Sequence, residues 1–253
     1  MRLFLLPVLL IPAACCINAC SFGPSHKATR TVEFTLPATG LRGVDCTSHN
    51  GAIVVSGIDA DAYAVSVEIT AFGETEAEAQ ANLALLEVGK EQVDGSLRLT
   101  GIKKPEWPSQ YSPGFAFTIT MPRDGEAKLT THNGAVSVGG LTGRVAALTH
   151  NGSIKLDAPT TRFELETHNG GIEVASRAKG AIQGSLTTHN GGIEVTIGEG
   201  ASAQVSARTH NGAIVGDGAP KFERKSRTQG VATYGAGEGK IEAVTHNGSV
   251  RLR

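Results

Sequence analysis

Seven of the eight histidines stand in one triplet, His-Asn-Gly, at His49, His132, His150, His168, His189, His210 and His246; only His26 lies outside it. Imidazole is the side chain whose charge changes between about pH 5 and 8, and in its neutral form it is the commonest metal ligand. From His132 onward the triplets are 18, 18, 21, 21 and 36 residues apart. Such spacing makes the triplet either a site used repeatedly or a corner the fold needs repeatedly. If the units stack in register, adjacent copies lie about 4.8 Å apart. His132, His150, His168, His189 and His210 then form a column, with His246 one decayed unit away. Neighbouring neutral imidazoles in such a column are candidate ligands for a divalent ion such as zinc. On acidification, repulsion between charged rings would weaken the folded state. A zinc site wants three or four converging ligands, whereas a linear column offers two. The competing reading is that histidine caps the corner and spread by duplication.

The two residues after each histidine have a plainer role. Asn133-Gly134, Asn151-Gly152, Asn169-Gly170, Asn190-Gly191, Asn211-Gly212 and Asn247-Gly248 supply the left-handed backbone angles that a tight corner requires. Flanking positions alternate. Three before histidine come Leu129, Ala147, Leu165, Leu186, Ala207 and Ala243; four after come Val136, Ile154, Ile172, Ile193, Ile214 and Val250. The residue five after is Ser137, Lys155, Glu173, Glu194, Val215 or Arg251. Period-two alternation is the signature of a half-buried strand. Each unit therefore reads strand, corner, strand, loop.

The 36-residue gap equals two 18-residue units, and Arg227-Thr228-Gln229-Gly230 at its middle reads as a decayed copy. This makes residues 127–253 about seven units. Two all-β architectures satisfy the pattern. In a single-stranded β-solenoid of 18–21-residue coils, each position meets its own copy, which rewards the same residue every time. In an antiparallel sandwich or prism, Asn-Gly is the two-residue turn of a hairpin. The near-identity of the copies favours the solenoid.

Residues 31–126 form an N-terminal β region. Val32–Leu36 reads as a strand, and Ser48 to Val55 is a first, isolated copy of the motif. Tyr63–Thr70, Ser96–Thr100 and Phe115–Met121 follow as strands around a helix opened by the capping box Thr75-Glu76-Ala77-Glu78. Ala79, Leu83 and Leu86 share one helix face. This insertion is expected to cover one end of the stack, because open β edges invite pairing. Within it, Trp107 and Tyr111 in a Pro-rich loop are the candidate partner contacts. Arg251 and Arg253 are expected to discourage growth at the C-terminal end.

Residues 1–19, with one basic residue and a Pro-interrupted apolar run, read as a secretory signal. Ile17-Asn18-Ala19-Cys20 resembles the lipobox of bacterial lipoproteins, with Pro12-Ala13-Ala14-Cys15 a poorer rival. The resemblance implies lipidation of Cys20, a tether over residues 20–30, and a membrane partner reached through the acyl chains. Ser21 in place of aspartate implies the outer membrane of a Gram-negative host. Cys46 is then the free thiol of the mature chain, read as a small core residue.

The order of these elements is similar to the uncharacterised bacterial putative-adhesin domains, related to the head domains of auto-transporter adhesins. The resemblance rests on the Asn50-Gly51-Ala52-Ile53-Val54-Val55 copy, the Asp61-Ala62-Tyr63-Ala64-Val65-Ser66-Val67 strand, the Thr75 helix, Phe115 to Pro122, and the repeats. It spans residues 31–253. It implies a β-helical module at the cell envelope without known catalytic residues, meeting a surface protein or a glycan. This chain departs from the family in carrying histidine in every clear copy.

Composition narrows the function classes. A formal net charge of -1 with 40% apolar residues excludes a disordered chain and, by composition, a nucleic-acid binder. No Gly-x-Ser-x-Gly elbow or phosphate-binding loop follows the leader. The expected function is a lipid-anchored, adhesin-like binding or structural module without catalysis or cofactor. The alternative is a metal-binding or pH-responsive envelope protein using the histidine column.

Overall fold

The computed structural model describes residues 26–219 and 221–253. The signal segment 1–19, Cys20 and the first part of the tether lie outside the described residues. Strand β1 (His26–Pro37) begins at His26, within the segment 20–30 that the sequence offers as a tether. Its twelve residues all pair antiparallel with β4, from His26 opposite Gly73 to Pro37 opposite Ala62, so the ladder continues through the polar residues before Val32.

The N-terminal half continues with β2 (Gly43–Thr47), β3 (Ile53–Ile58), β4 (Ala62–Gly73), α1 (Glu76–Leu83), β5 (Leu86–Val93), β6 (Ser96–Lys103) and β7 (Gly114–Pro122). Thr75 caps α1, its side chain accepting from the Glu78 amide at 3.1 Å, while the Glu78 carboxylate accepts from the Glu74 amide at 2.9 Å. The helix is shorter than its apolar spacing implies. Leu86 belongs to β5, and Asn82 takes its place on the buried face by donating to the Phe72 carbonyl at 2.8 Å.

From residue 126 the chain repeats. Strands β8 (Glu126–Thr131), β10 (Val145–Thr149), β12 (Arg162–Thr167) and β15 (Gln183–Thr188) precede successive triplets, the short β14 (Gly180–Ala181) leading into the last of them. Strands β9 (Val136–Gly139), β11 (Ile154–Ala158), β13 (Ile172–Ser176) and β16 (Ile193–Ile197) follow the triplets. Then come β17 (Ala201–Thr209), β18 (Ile214–Gly216), β19 (Lys221–Arg224), β20 (Gln229–Tyr234), β21 (Gly239–Thr245) and β22 (Val250–Leu252).

Among the described residues the fold is all-β apart from α1, in a 10-stranded and a 12-stranded sheet. Strands on the two sides of a triplet enter different sheets, so Asn-Gly is a corner between sheets. Like residues lie over like: Ile154 pairs with Val136 on one side and Ile172 on the other, and Leu165 with Ala147 and Leu186. The inward columns are buried, with Leu129, Leu165, Ile154, Ile193 and Val250 at most 2% exposed. The first motif copy joins the same stack without a break at residue 126, β2 pairing with β8 and β3 with β9. Beyond β2 and β3, the end is covered by β7, β4 and β1 in one sheet and by β6 and β5 in the other. Cys46 is fully buried there, and burial, helped by the Asp45 charge, pushes its thiol far up, which suits a packing role.

Two features of the C-terminal third depart from the sequence expectation. Gln229 and Gly230 belong to β20, which runs antiparallel to β17 and forms a hairpin with β19, so the presumed decayed unit is no unit at all. The final unit, β21–β22, does not extend the stack. It lies inside it, β21 between β15 and β17 and β22 between β16 and β18. Arg251 and Arg253 therefore sit within the sheet, Arg253 paired with Glu194 at 2.7 Å. Six two-strand units follow residue 126, not seven. The copy at His49 makes the seventh rung.

Candidate functional site

Strand pairing aligns all seven triplets along one ridge, in the order His49, His132, His150, His168, His189, His246, His210. Adjacent rings are 4.7–4.9 Å apart at their centroids and 4–21° from parallel. The column is thus longer than the five rings expected, and His246 occupies the place between His189 and His210. All seven rings are exposed.

Beneath the rings three ladders hold the corner. Each triplet asparagine donates from Nδ2 to Oδ1 of the asparagine one rung nearer the N-terminal end, at 2.7–2.8 Å, from Asn211 through Asn247, Asn190, Asn169, Asn151 and Asn133 to Asn50. Asn50 ends the chain on the Pro113 carbonyl at 3.2 Å. Asparagine amides donate likewise to histidine carbonyls, as Asn151 does to His132 at 2.8 Å.

The third ladder comes from a residue the sequence reading passed over. The position before each histidine is Thr131, Thr149, Thr167, Thr188, Thr209 or Thr245, with Ser48 in the first copy. Each threonine hydroxyl donates to the glycine carbonyl of the next rung at 2.7–3.0 Å, for example Thr167 to Gly152. Ser48 donates to the Phe115 carbonyl of the cap at 2.8 Å. These side chains are at most 9% exposed. An unbroken Ser/Thr column before a polar triplet was the signal available to find them. Losing such a donor strands a buried carbonyl, which costs about 1–3 kcal/mol. Thr188→Val is therefore expected to lower unfolding stability by that amount in urea titrations. The neighbouring Thr187→Val, at an exposed position, should stay within about 0.5 kcal/mol.

The glycines also need a different explanation. None of Gly134, Gly152, Gly170, Gly191, Gly212 or Gly248 has positive φ; in the triplets only Gly51 does, at 146°. They are required by close approach. A Cβ at any of the six would meet the glycine carbonyl oxygen of the adjacent rung at 1.9–2.1 Å.

In this stacking, equivalent nitrogens of neighbouring near-parallel rings are about as far apart as the centroids. Two nitrogens each about 2.1 Å from one zinc ion span at most about 4.2 Å, so the stacked rings do not converge on a shared ion. Among the described residues no group of three or more His, Cys, Asp or Glu is placed to hold a metal. Trp107 and Tyr111, expected as partner contacts, are 9% and 7% exposed, and the Trp107 indole donates to the Tyr111 carbonyl at 2.9 Å. That bond lies within the loop, and both rings belong to the buried core cluster.

Beside the ridge runs a shallow groove on the outer face of the 12-stranded sheet. One stretch, about 410 Å³, is lined by His49, His132, His150, His168, Leu148 and Glu166. The next, about 550 Å³, shares His168 and Glu166 and continues past His189, His246 and His210 to Arg208 and Gln229. Leu148 and Val244 lie open along it, 45% and 41% exposed.

The model of the Toastrack DUF4097 family matches residues 17–253. No curated protein matches the chain. Among solved structures, a "putative cell adhesion protein" from Clostridium sporogenes aligns over 89% of this chain and 99% of its own, at 12% identity and TM-score 0.48. A "putative adhesin" from Bacteroides fragilis aligns over 88% and 97%, at 13% identity and TM-score 0.35. A "putative lipid binding protein" from Parabacteroides distasonis aligns over 90% and 98%, at 13% identity and TM-score 0.29.

Proposed function

The chain belongs to the Toastrack DUF4097 family, and on that footing we propose that it is a β-solenoid binding module of the cell envelope, without catalysis, anchored by lipid on Cys20. The observation that carries this reading is the ridge. Seven exposed histidines stand in an evenly spaced row, each held by serine or threonine, asparagine and backbone ladders beneath it. That arrangement suits adhesion to an extended surface molecule better than enclosure of a small substrate. The grooves beside it are open, and the Thr131, Thr149, Thr167, Thr188, Thr209 and Thr245 hydroxyls that line them donate to glycine carbonyls, not to histidine. The reading requires no cofactor and no nucleic acid.

Anchoring follows from the lipobox-like Ile17-Asn18-Ala19-Cys20. Only five residues separate Cys20 from β1, a reach of roughly 20 Å from the membrane for the covered end of the stack. A surface protein or glycan is the partner class, and the outer membrane the location if the host is Gram-negative. In its own host the chain should incorporate labelled palmitate and sediment with membranes. Cys20→Ser should abolish the label and release the chain to the soluble fraction, since acyl burial contributes about 0.8 kcal/mol per methylene. Persistent labelling of the Cys20→Ser chain would refute the anchor.

A further inference from the structure

The histidine ridge and the hairpin at its end form one surface whose charge depends on pH. Along the strands, the described residues form ion pairs at intervals: Lys104–Glu87, Arg123–Asp59, Lys128–Asp45, Arg144–Glu164, Lys155–Glu173, Arg177–Asp157, Lys240–Glu242 and Arg253–Glu194. The β19–β20 hairpin differs in composition: four of its five charged residues are basic, Glu223 being the exception. Lys221, Arg224, Lys225 and Arg227 are all exposed, and none takes part in an ion pair among the described residues. Arg227 Nη1 donates instead to the Gly212 carbonyl at 2.7 Å, and the Thr209 amide donates to the Thr228 carbonyl at 3.0 Å. These bonds fasten the basic hairpin onto the rung that carries His210, where the groove ends at Arg208 and Gln229.

From there the rings continue for six intervals of 4.7–4.9 Å, a strip roughly 29 Å long. Few fixed charges face it. Two positions before each histidine, on the strands that wall the groove, stand Thr47, Thr130, Leu148, Glu166, Thr187, Val244 and Arg208. On the other side the asparagine ladder and the small residues after each glycine are uncharged, save for Arg227 at the last rung. Glu166 and Arg208 offset one another. The strip is therefore close to neutral when the imidazoles are neutral. Each imidazole that takes up a proton adds a cation to a row whose members are 4.7–4.9 Å apart.

We propose that this strip is an acid-gated docking site for a linear phosphate-bearing polymer, with the basic hairpin as its permanently charged end. The occupant follows from charge complementarity and shape. Evenly spaced imidazolium groups repel one another along the row, and an extended chain with a regular series of anions relieves that repulsion at every rung. A single small anion relieves it at one rung only. The open walls carry Leu148 and Val244 but no aromatic platform, which favours a charged backbone over stacked rings. The inference rests on the binding-module reading and adds to its surface-protein or glycan partners a phosphate-bearing polymer; it does not depend on the lipid anchor.

Inorganic polyphosphate is the probe, and tripolyphosphate the short control, titrated into the full-length chain at pH 7.5 and 5.5 over a range of salt. Polyphosphate affinity should rise at least tenfold on acidification. The slope of log affinity against log salt should steepen, because each neutralised phosphate contributes about 0.7–0.9 to it. Tripolyphosphate should gain little. His150→Gln, His168→Gln and His189→Gln together should remove most of the acid gain. Arg224→Glu with Lys225→Glu should weaken binding at pH 7.5 and keep the gain. If the histidine variant does not fold, the parent chain still decides: bound polyphosphate should protect His132 to His246 from diethylpyrocarbonate at pH 6. An affinity that changes less than twofold between the two pH values, equal gain in the histidine variant, or unprotected histidines would overturn the proposal. Failure of palmitate labelling would leave it standing.

Discussion

Gly152→Ala is expected to unfold the chain or to remove about 3 kcal/mol or more of its stability. The added Cβ would lie 2.0 Å from the Gly134 carbonyl oxygen and 2.5 Å from its carbon. Those are backbone atoms in the middle of a stack, held on both sides by strand pairing, so neither rung can yield without breaking its ladders. Overpacking a core by a methylene typically costs about 1–3 kcal/mol, and this overlap is with main chain instead of a movable side chain. Because Gly152 does not have positive φ, alanine faces no penalty from its own backbone angles. The loss would isolate close approach as the cause. Gly139→Ala is the control, since its nearest neighbour is the Asp157 carbonyl oxygen at 4.0 Å; it should remain within about 0.5 kcal/mol. Circular dichroism during urea unfolding reads both. Equal midpoints for the two variants would show that the rungs are not pressed together at the corner.

A chain ending at Glu238 is expected to lose most of its stability, although it lacks only the last fifteen residues. Terminal segments ordinarily fray at little cost. Here the terminal segment is a rung in the interior of the stack. Ile241, Val250 and Leu252 are fully buried, and burial of each such side chain contributes about 1.5–3 kcal/mol. Their sum is comparable with the roughly 5–15 kcal/mol by which a domain is stable. Removal also deprives β18 of its parallel partner, leaves β17 only the two-residue β14 as one, and leaves β15 and β16 with open edges. Deleting Arg253 alone takes away an exposed ion pair and two ladder bonds, and should cost about 1–2 kcal/mol. Thermal melts together with limited proteolysis of residues 201–238 would register the difference. An unchanged melting temperature in the chain ending at Glu238 would place the last unit outside the stack.

The truncation also probes an alternative pairing. Without β21–β22, the rung of β17 and β18 could settle directly on β15 and β16, bringing His210 over His189 and Asn211 over Asn190. Every rung after the first carries the same Thr-His-Asn-Gly corner, so each edge is complementary to several others. In the intact chain the choice is made by the β19–β20 hairpin, which occupies the far edge of β17 and leaves the near edge to β21.

Much of the strand pattern could be read from residues 127–253 because period-two alternation in a half-buried strand leaves a local trace. Leu165, Ile172 and Val174 each announce the face they occupy. The threonine column was equally visible but was not recognised, since a polar residue next to a polar corner looks like solvent-facing turn chemistry. Only the paired rung reveals that Thr167 points at the Gly152 carbonyl. Trp107 and Tyr111 misled for the opposite reason. Aromatic residues in a proline-rich loop resemble exposed contacts until both rings are seen buried in the core cluster.

The sequence alone determined the all-β class, the inward and outward columns, the corner at each triplet and the alignment of repeated residues, because those depend on backbone periodicity and on the advantage of like meeting like. Tertiary structure decided the order of the rungs, the threading of the final unit between His189 and His210, the close contact that demands glycine, and the hairpin that seals the end. These depend on which of several nearly equivalent edges are in contact, and identical repeats carry no local mark of that choice.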